Sequence, residues 1–292
     1  MPVTATTEAA RNERTSGYGF GSTDVVLSVD EVERAAGELA ARAPDREALA
    51  ALAGAPAYVA IDGLVAGYGN MEVLHGIDLR LPRARSLCLI GPNGAGKSTV
   101  LHSIQGFTRI AAGTITIDGR DVTHLAPHRK LREAGVAYVL QDNSVFPDMS
   151  VEENLAMGAF LMPRAEARRA VEGVFERYPR LAERRRQRAG VLSGGERRLL
   201  EISRALVLDP KVLLIDEPSI GLEPRYIDMV FEILSRLSSE EGRTIVMVEQ
   251  NARKGLEFAD LGYVLVAGRI ALAGTGRELL DNPDVGRLFL GD

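Results

Sequence analysis

The sequence predicts an α/β protein: parallel strands of a buried sheet, interrupted by a helical insertion. Three observations carry this. "SLCLIG" (86–91) and "KVLLID" (211–216) are near-continuous apolar runs, as parallel strands buried on both faces should be. "YVAIDGLVAGYG" (58–69), "LHGIDLRL" (74–81) and "GTITIDG" (113–119) alternate and are cut by glycine, as strands and turns are. Between residues 151 and 208 the pattern is mostly helical, and strand-like runs return at 244–248 and 262–266. At 292 residues with 46% hydrophobic content, the chain is long enough for one large domain or two small ones around a sizeable core.

Residues 1–22 are rich in Thr, Ala, Ser, Gly and charge, so disorder is expected there. Residues 28–43 predict a helix: Ser28 and Glu31 stand in capping-box spacing, and Val32, Ala35, Ala36, Leu39 and Ala43 share one face. Pro44 stops it, and "DREALAALAG" predicts a second short helix ending at Gly54. The apolar faces are narrow and mostly alanine. Residues 1–57 therefore read as a weakly docked N-terminal extension, disordered and then weakly helical, ahead of a domain spanning 58–292. The run "ERRRQR" (183–188) reads as a solvated helix face or linker.

"GPNGAGKST" (91–99) matches G-x-x-x-x-G-K-[ST] and sits between an apolar strand and the helical "STVLHSIQG". A chance match somewhere in such a chain is roughly a 1% event. Glycines let the backbone curl so that its N–H groups face phosphate oxygens, and the helix N-terminus adds positive potential. The loop comprises Gly91, Pro92, Asn93, Gly94, Ala95, Gly96, Lys97, Ser98 and Thr99. Lys97 supplies a full charge at the β- and γ-phosphates, and the Ser98 hydroxyl can ligate Mg²⁺.

In "KVLLIDEP" Asp216 ends a buried strand, at the edge where open α/β sheets bind ligands. It can hold Mg²⁺, while Glu217, pointing elsewhere on an extended chain, can act as general base toward the attacking water. In "VMVEQN" (246–251) a strand runs into three polar residues, and these alone do not say whether one reaches a substrate.

With these motifs in place, "LSGGERRLL" (192–200) makes the chain resemble the nucleotide-binding subunit of an ABC transporter over roughly residues 58–292. The resemblance implies a P-loop NTPase fold: a RecA-like mixed sheet core, an antiparallel β subdomain and a helical signature subdomain at approximately 146–206. It implies ATP and Mg²⁺ as cofactors and ATP hydrolysis as the activity. It also implies a head-to-tail dimer with an identical or paralogous ATPase subunit, in which Ser193, Gly194, Gly195 and Glu196 of one subunit cap ATP on the other. A serine and free backbone N–H groups at a helix start suit that second anion site. By the same resemblance Tyr68 in "AGYGN" stacks on adenine, Gln141 in "VLQDNSVFP" contacts Mg²⁺ or the water, and Gln250 stands where most of the family has a γ-phosphate-sensing histidine. A glutamine keeps hydrogen bonding but carries no titratable proton near neutrality, which leaves the acid–base role to Glu217. Glu223 stands where most relatives have Asp.

"MSVEENLAMGAF" (149–160), "YPRLAERRRQRAGVLSGGE" (178–196) and "MVEQNARKGLEFAD" (247–260) are similar to ATPase subunits of branched-chain amino acid importers, and urea or short-amide importers share these stretches. The implied partners are multi-span permease subunits and, indirectly, a substrate-binding protein. The implied location is the cytoplasmic face of the plasma membrane, held peripherally. A soluble ABC ATPase outside transport is the other class, but such proteins usually carry a long coiled-coil insertion or two motif sets. The single Cys88 excludes an internal disulfide and a multi-cysteine metal site, and it is expected to be buried. No stretch reaches the roughly 18 apolar residues of a membrane span, and no secretory signal is expected. A net charge of −5 demands no polyanionic partner, and no nucleic acid is expected.

Overall fold

A computed structural model describes residues 44–141 and 144–290. The expected disordered segment and the helix at 28–43 lie outside the described residues. The chain enters through α1 (Arg46–Ala53), capped by the Asp45 side chain and closed by Gly54 in the left-handed region. Leu49 is only 1% exposed and belongs to the main core, and Arg46 Nε lies 2.7 Å from Asp78. This short helix is therefore seated on the sheet through one leucine, despite its alanine-rich face.

There follow β1 (Ala57–Tyr68), β2 (Met71–Pro82), β3 (Ser86–Ile90), α2 (Lys97–Gln105), β4 (Arg109–Ile117), β5 (Arg120–Asp121), α3 (Pro127–Ala134) and β6 (Val136–Val139). The insertion comprises α4 (Val151–Gly158), α5 (Arg164–Arg177), α6 (Pro179–Glu183) and α7 (Gly194–Leu206). The chain then returns through β7 (Val212–Asp216), α8 (Pro224–Ser239), β8 (Thr244–Val248), α9 (Ala252–Phe258), β9 (Leu261–Val266), β10 (Arg269–Thr275), α10 (Gly276–Leu280) and α11 (Pro283–Val285).

Two sheets result. One is antiparallel and four-stranded, in the order β2-β1-β4-β5; the other is six-stranded, in the order β10-β9-β3-β8-β7-β6. The latter is parallel except for β10, which runs antiparallel to β9. Every residue of β3, β7, β8 and β9 is buried, which is why their sequences are unbroken apolar runs. One core lies between the two sheets, with Val100, Leu101 and Ile104 of α2 in it. A second lies on the opposite face under α8 and α9, with Val230, Leu234, Leu237 and Leu256.

The insertion has its own core, built from Val151, Leu155, Val174, Phe175, Leu181, Leu199 and Leu200. Ser150–Glu153 and Ser193–Glu196 form reciprocal capping boxes that fix where α4 and α7 begin. The arginine run is not simply solvated. Arg184 pairs with Glu196 at 2.6 Å, and Arg185 pairs with Glu152 and Glu172 while covering the Phe175 ring. The parallel strands β3, β6, β7 and β8 all end at one edge, which brings the segments after Ile90, Val139, Asp216 and Val248 together.

Candidate nucleotide site

The loop after β3 closes on α2. Gly91 has φ +144°, and a Cβ there would stand 2.0 Å from the Leu265 carbonyl oxygen, so no other residue fits. Gly96, with φ +98°, is the N-cap of α2 and makes no side-chain cap bond to the first N–H groups of that helix. These donors, with the helix dipole behind them, form an anion cradle. Lys97 is buried, and its Nζ donates to the carbonyls of Gly91 (2.9 Å) and Pro92 (3.0 Å). Burial draws its ammonium below the ordinary value; Glu217 and Asp216 nearby oppose that shift.

Opposite the cradle, Asp216 ends β7 and is 4% exposed. Ser98 Oγ donates to Asp216 Oδ1 at 3.1 Å, and the Tyr138 hydroxyl donates to Oδ2 at 2.8 Å. Burial, the Asp216 charge and this bond all push the Tyr138 phenol well up, so it remains a donor. Glu217 follows with φ +42°, a left-handed conformation costing a non-glycine residue about 1–3 kcal/mol. Its N–H bonds to the Val248 carbonyl at 2.9 Å, and Gln141 Nε2 donates to its Oε2 at 2.7 Å. In this conformation the two neighbouring carboxylates have different partners, Ser98 and Tyr138 for Asp216 and Gln141 for Glu217.

A cavity of about 520 Å³ is lined by Asn93, Gly94, Gly96, Lys97, Ser98, Thr99, Gln141, Glu217 and Gln250, with Val73 and Ile220 as apolar wall; Gly91, Pro92, Ala95 and Asp216 are not in its lining, and Asp216 reaches it through Ser98. That volume suits a drug-sized ligand. A serine hydroxyl, a carboxylate and an amide are the hard oxygen donors that Mg²⁺ takes, and Ser98 and Asp216 already converge. The donor set thus fits a Mg²⁺-bound phosphate ligand.

The three polar residues after β8 have three fates. Glu249 is buried; its carboxylate accepts from Ser219 Oγ and from the Asn251 N–H at 3.0 Å, and burial pushes it up. Gln250 is exposed and lines the cavity. Asn251 caps α9 through its bond with the Lys254 N–H.

Other expected residues lie elsewhere. Tyr68 does not line the cavity; it is 40% exposed, and its hydroxyl is 2.5 Å from His102 Nδ1. His102, Phe107 and Tyr138 continue this ring cluster toward Asp216. None of Ser193, Gly194, Gly195 and Glu196 lines this chain's cavity. Ser193 and Glu196 bond each other across the helix start, and Gly195 packs against the Tyr226 ring, where a Cβ would come within 2.2 Å. Glu223 pairs with Arg225. Cys88 is fully buried, as expected.

Two features escaped the sequence reading. Tyr138 sits in the apolar strand "VAYV", where its ring reads as ordinary core, and only its position beside the Asp216 strand gives it a partner. Arg198 and Glu201 interrupt the apolar face of α7, and that interruption was the available signal.

The profile of the ABC transporter family matches residues 74–220. The chain is 43% identical over 224 residues to the high-affinity branched-chain amino acid transport ATP-binding protein BraG of Pseudomonas aeruginosa, covering 77% of this chain and 95% of that one. It is 36% identical over 228 residues to the probable branched-chain amino acid transport ATP-binding protein LivF of Archaeoglobus fulgidus, covering 78% and 96%. Among solved structures, it is similar to a nucleotide-free ATP-binding cassette from an ABC transporter, with a TM-score of 0.72, 26% identity and coverage of 81% and 100%.

Proposed function

Because the chain belongs to the ABC transporter family of ATP-binding, ATP-hydrolysing subunits, we propose that it powers a branched-chain amino acid importer, with the cavity at the strand ends as its hydrolytic site. The observation that carries this reading is the convergence of Lys97, Ser98, Gln141, Glu217 and Gln250 on one cavity. In this reading the loop's N–H groups and the start of α2 hold the phosphates. Lys97 exchanges the Gly91 and Pro92 carbonyls for β- and γ-phosphate oxygens. Ser98, Asp216 and Gln141 would hold a Mg²⁺ ion, which would supply charge neutralisation at the phosphates. Glu217 accepts the proton of the attacking water, and Gln250 orients that water and the γ-phosphate by hydrogen bonds alone. Tyr68 contributes its ring to adenine after leaving His102.

The residues 193–196 lie off their own chain's cavity, which supports their use across a head-to-tail dimer of two ATPase subunits. A second, apolar cavity of about 560 Å³ lies between the insertion and the sheet and exposes Phe107, Leu140, Phe146, Met157 and Phe160. Large exposed apolar residues in one groove mark an interaction surface, and a permease subunit suits it. Among the described residues no helix is long and apolar enough to cross a membrane. In this reading the chain sits peripherally on the cytoplasmic face, held by the permease.

The segment after β6 favours a second reading. The sequence around Gln141 departs from the amino acid branch, which tends to have Glu-Gly after the strand, and a urea or short-amide importer is the alternative. Uptake of labelled leucine and labelled urea by cells lacking the chain separates the two. Loss of leucine uptake, restored by the wild type but not by Lys97→Ala, is expected; loss of urea uptake alone would favour the alternative.

A further inference from the structure

The parallel ladder between β6 and β7 ends at the pair Val139 and Ile215. The next residues on each strand carry the chemistry: Leu140 and Gln141 on one, Asp216 and Glu217 on the other. A single side chain from the insertion spans that end. Arg198, on α7, donates from Nη1 to the Leu140 carbonyl (2.8 Å) and from Nη2 to the Asp216 carbonyl (3.1 Å), with the Gln141 carbonyl 3.4 Å from Nη1. Glu201, one turn later, takes Nη1 at 2.9 Å with Oε2 and the Ser144 N–H at 3.2 Å with Oε1. Both side chains are about 5% exposed.

Charged residues are almost never buried unless paired. Replacing a buried ion pair by apolar residues of similar volume is often neutral for stability, so stability alone does not account for this one. Its contacts do point to a role. The planar guanidinium forks between two carbonyls whose next side chains, Gln141 and Glu217, bond each other. The same helix begins at Ser193 and Gly194, so α7 joins the 193–196 segment to the hydrolytic pair by one rigid element.

We propose that Arg198, held by Glu201, is a positioning residue that fixes the separation of Gln141 and Glu217 and makes it depend on the placement of α7. The inference rests on the ATPase reading of the cavity. Arg198 touches neither nucleotide nor water; it acts through the backbones it holds. A small displacement of a catalytic group can cost about 100-fold in rate while leaving binding intact.

Two variants test this: Arg198→Lys, which keeps Glu201 paired but cannot fork between two carbonyls, and Arg198→Met with Glu201→Met, which removes both charges at similar volume. Each is measured with the wild type for thermal midpoint, affinity for a fluorescent ATP analogue, and kcat and KM of MgATP hydrolysis. The expected result is a thermal midpoint near wild type in both, unchanged analogue affinity and KM, and a kcat lowered about 10- to 100-fold. Wild-type kcat in either variant, or a kcat that falls only in step with the thermal midpoint, would overturn the inference. A wild-type protein that binds the analogue but releases no phosphate would bring down the ATPase reading and this inference with it.

Discussion

The Tyr138–Asp216 contact offers a perturbation of one atom. Tyr138→Phe keeps the ring against His102 and Phe107 and opens no cavity of consequence, so the loss is the hydrogen bond alone. Asp216 is 4% exposed and would keep Ser98 on Oδ1 while Oδ2 loses its 2.8 Å donor. A hydrogen bond to a charged group is worth about 1.5–3 kcal/mol. At about 2–4 °C per kcal/mol for a domain of this size class, the thermal midpoint of nucleotide-free protein should fall by about 3–12 °C. Circular dichroism melts read this directly. Repeating the change in an Asp216→Asn background closes a double-mutant cycle, and there the fall should shrink to less than half, because the acceptor is no longer charged. An unchanged midpoint in the single variant, or an equal fall in both backgrounds, would refute the assignment of the phenol to Asp216.

Lys130 is fully buried, with Nζ on the Ser103 carbonyl, and burial pushes it down from 10.5 to about 8. Between these values the unfolded chain binds the extra proton, so stability rises with pH across that window. Lys130→Met should therefore raise the midpoint at pH 7 and lose that advantage between about pH 8 and 10.5; an advantage that grows with pH would contradict the placement. Gln250→Ala should lower kcat more than nucleotide affinity while Gln250→His remains active, and wild-type turnover in the alanine variant would return Gln250 to an ordinary strand-end residue. Leu49→Ala should cost about 2–5 kcal/mol, seen as a lower midpoint, with turnover at 25 °C largely intact. A midpoint equal to wild type would mean that α1 does not belong to the folded unit.

Much of this architecture was legible because burial writes directly into sequence. Strands buried on both faces must be apolar throughout, which exposed β3 and β7. A phosphate loop needs glycine where Gly91 meets the Leu265 carbonyl, which exposed the site. Ser193 ahead of "ERRLLEISRALV" made one helix start readable. What stayed hidden depends on contacts between distant segments. "EQN" shows three polar letters, but only the approach of Ser219 buries Glu249 and leaves Gln250 facing the cavity. The seating of α1 turns on one leucine in an alanine-rich helix, and the bond from Tyr68 to His102 joins residues 34 apart in the chain. Strand order, which sets Tyr138 beside Asp216 and brings Arg198 to the end of the ladder, has no local signal.

The central claim, that the cavity binds and hydrolyses ATP with Glu217 as the base, meets its most direct test in Glu217→Gln. Purified wild-type and variant chains are compared for phosphate release from MgATP and for mass by size-exclusion chromatography with light scattering. Steady phosphate release is expected from the wild type, and in the variant turnover lowered by at least about 100-fold with ATP retained in a stable dimer. A variant that hydrolyses ATP at the wild-type rate would contradict it.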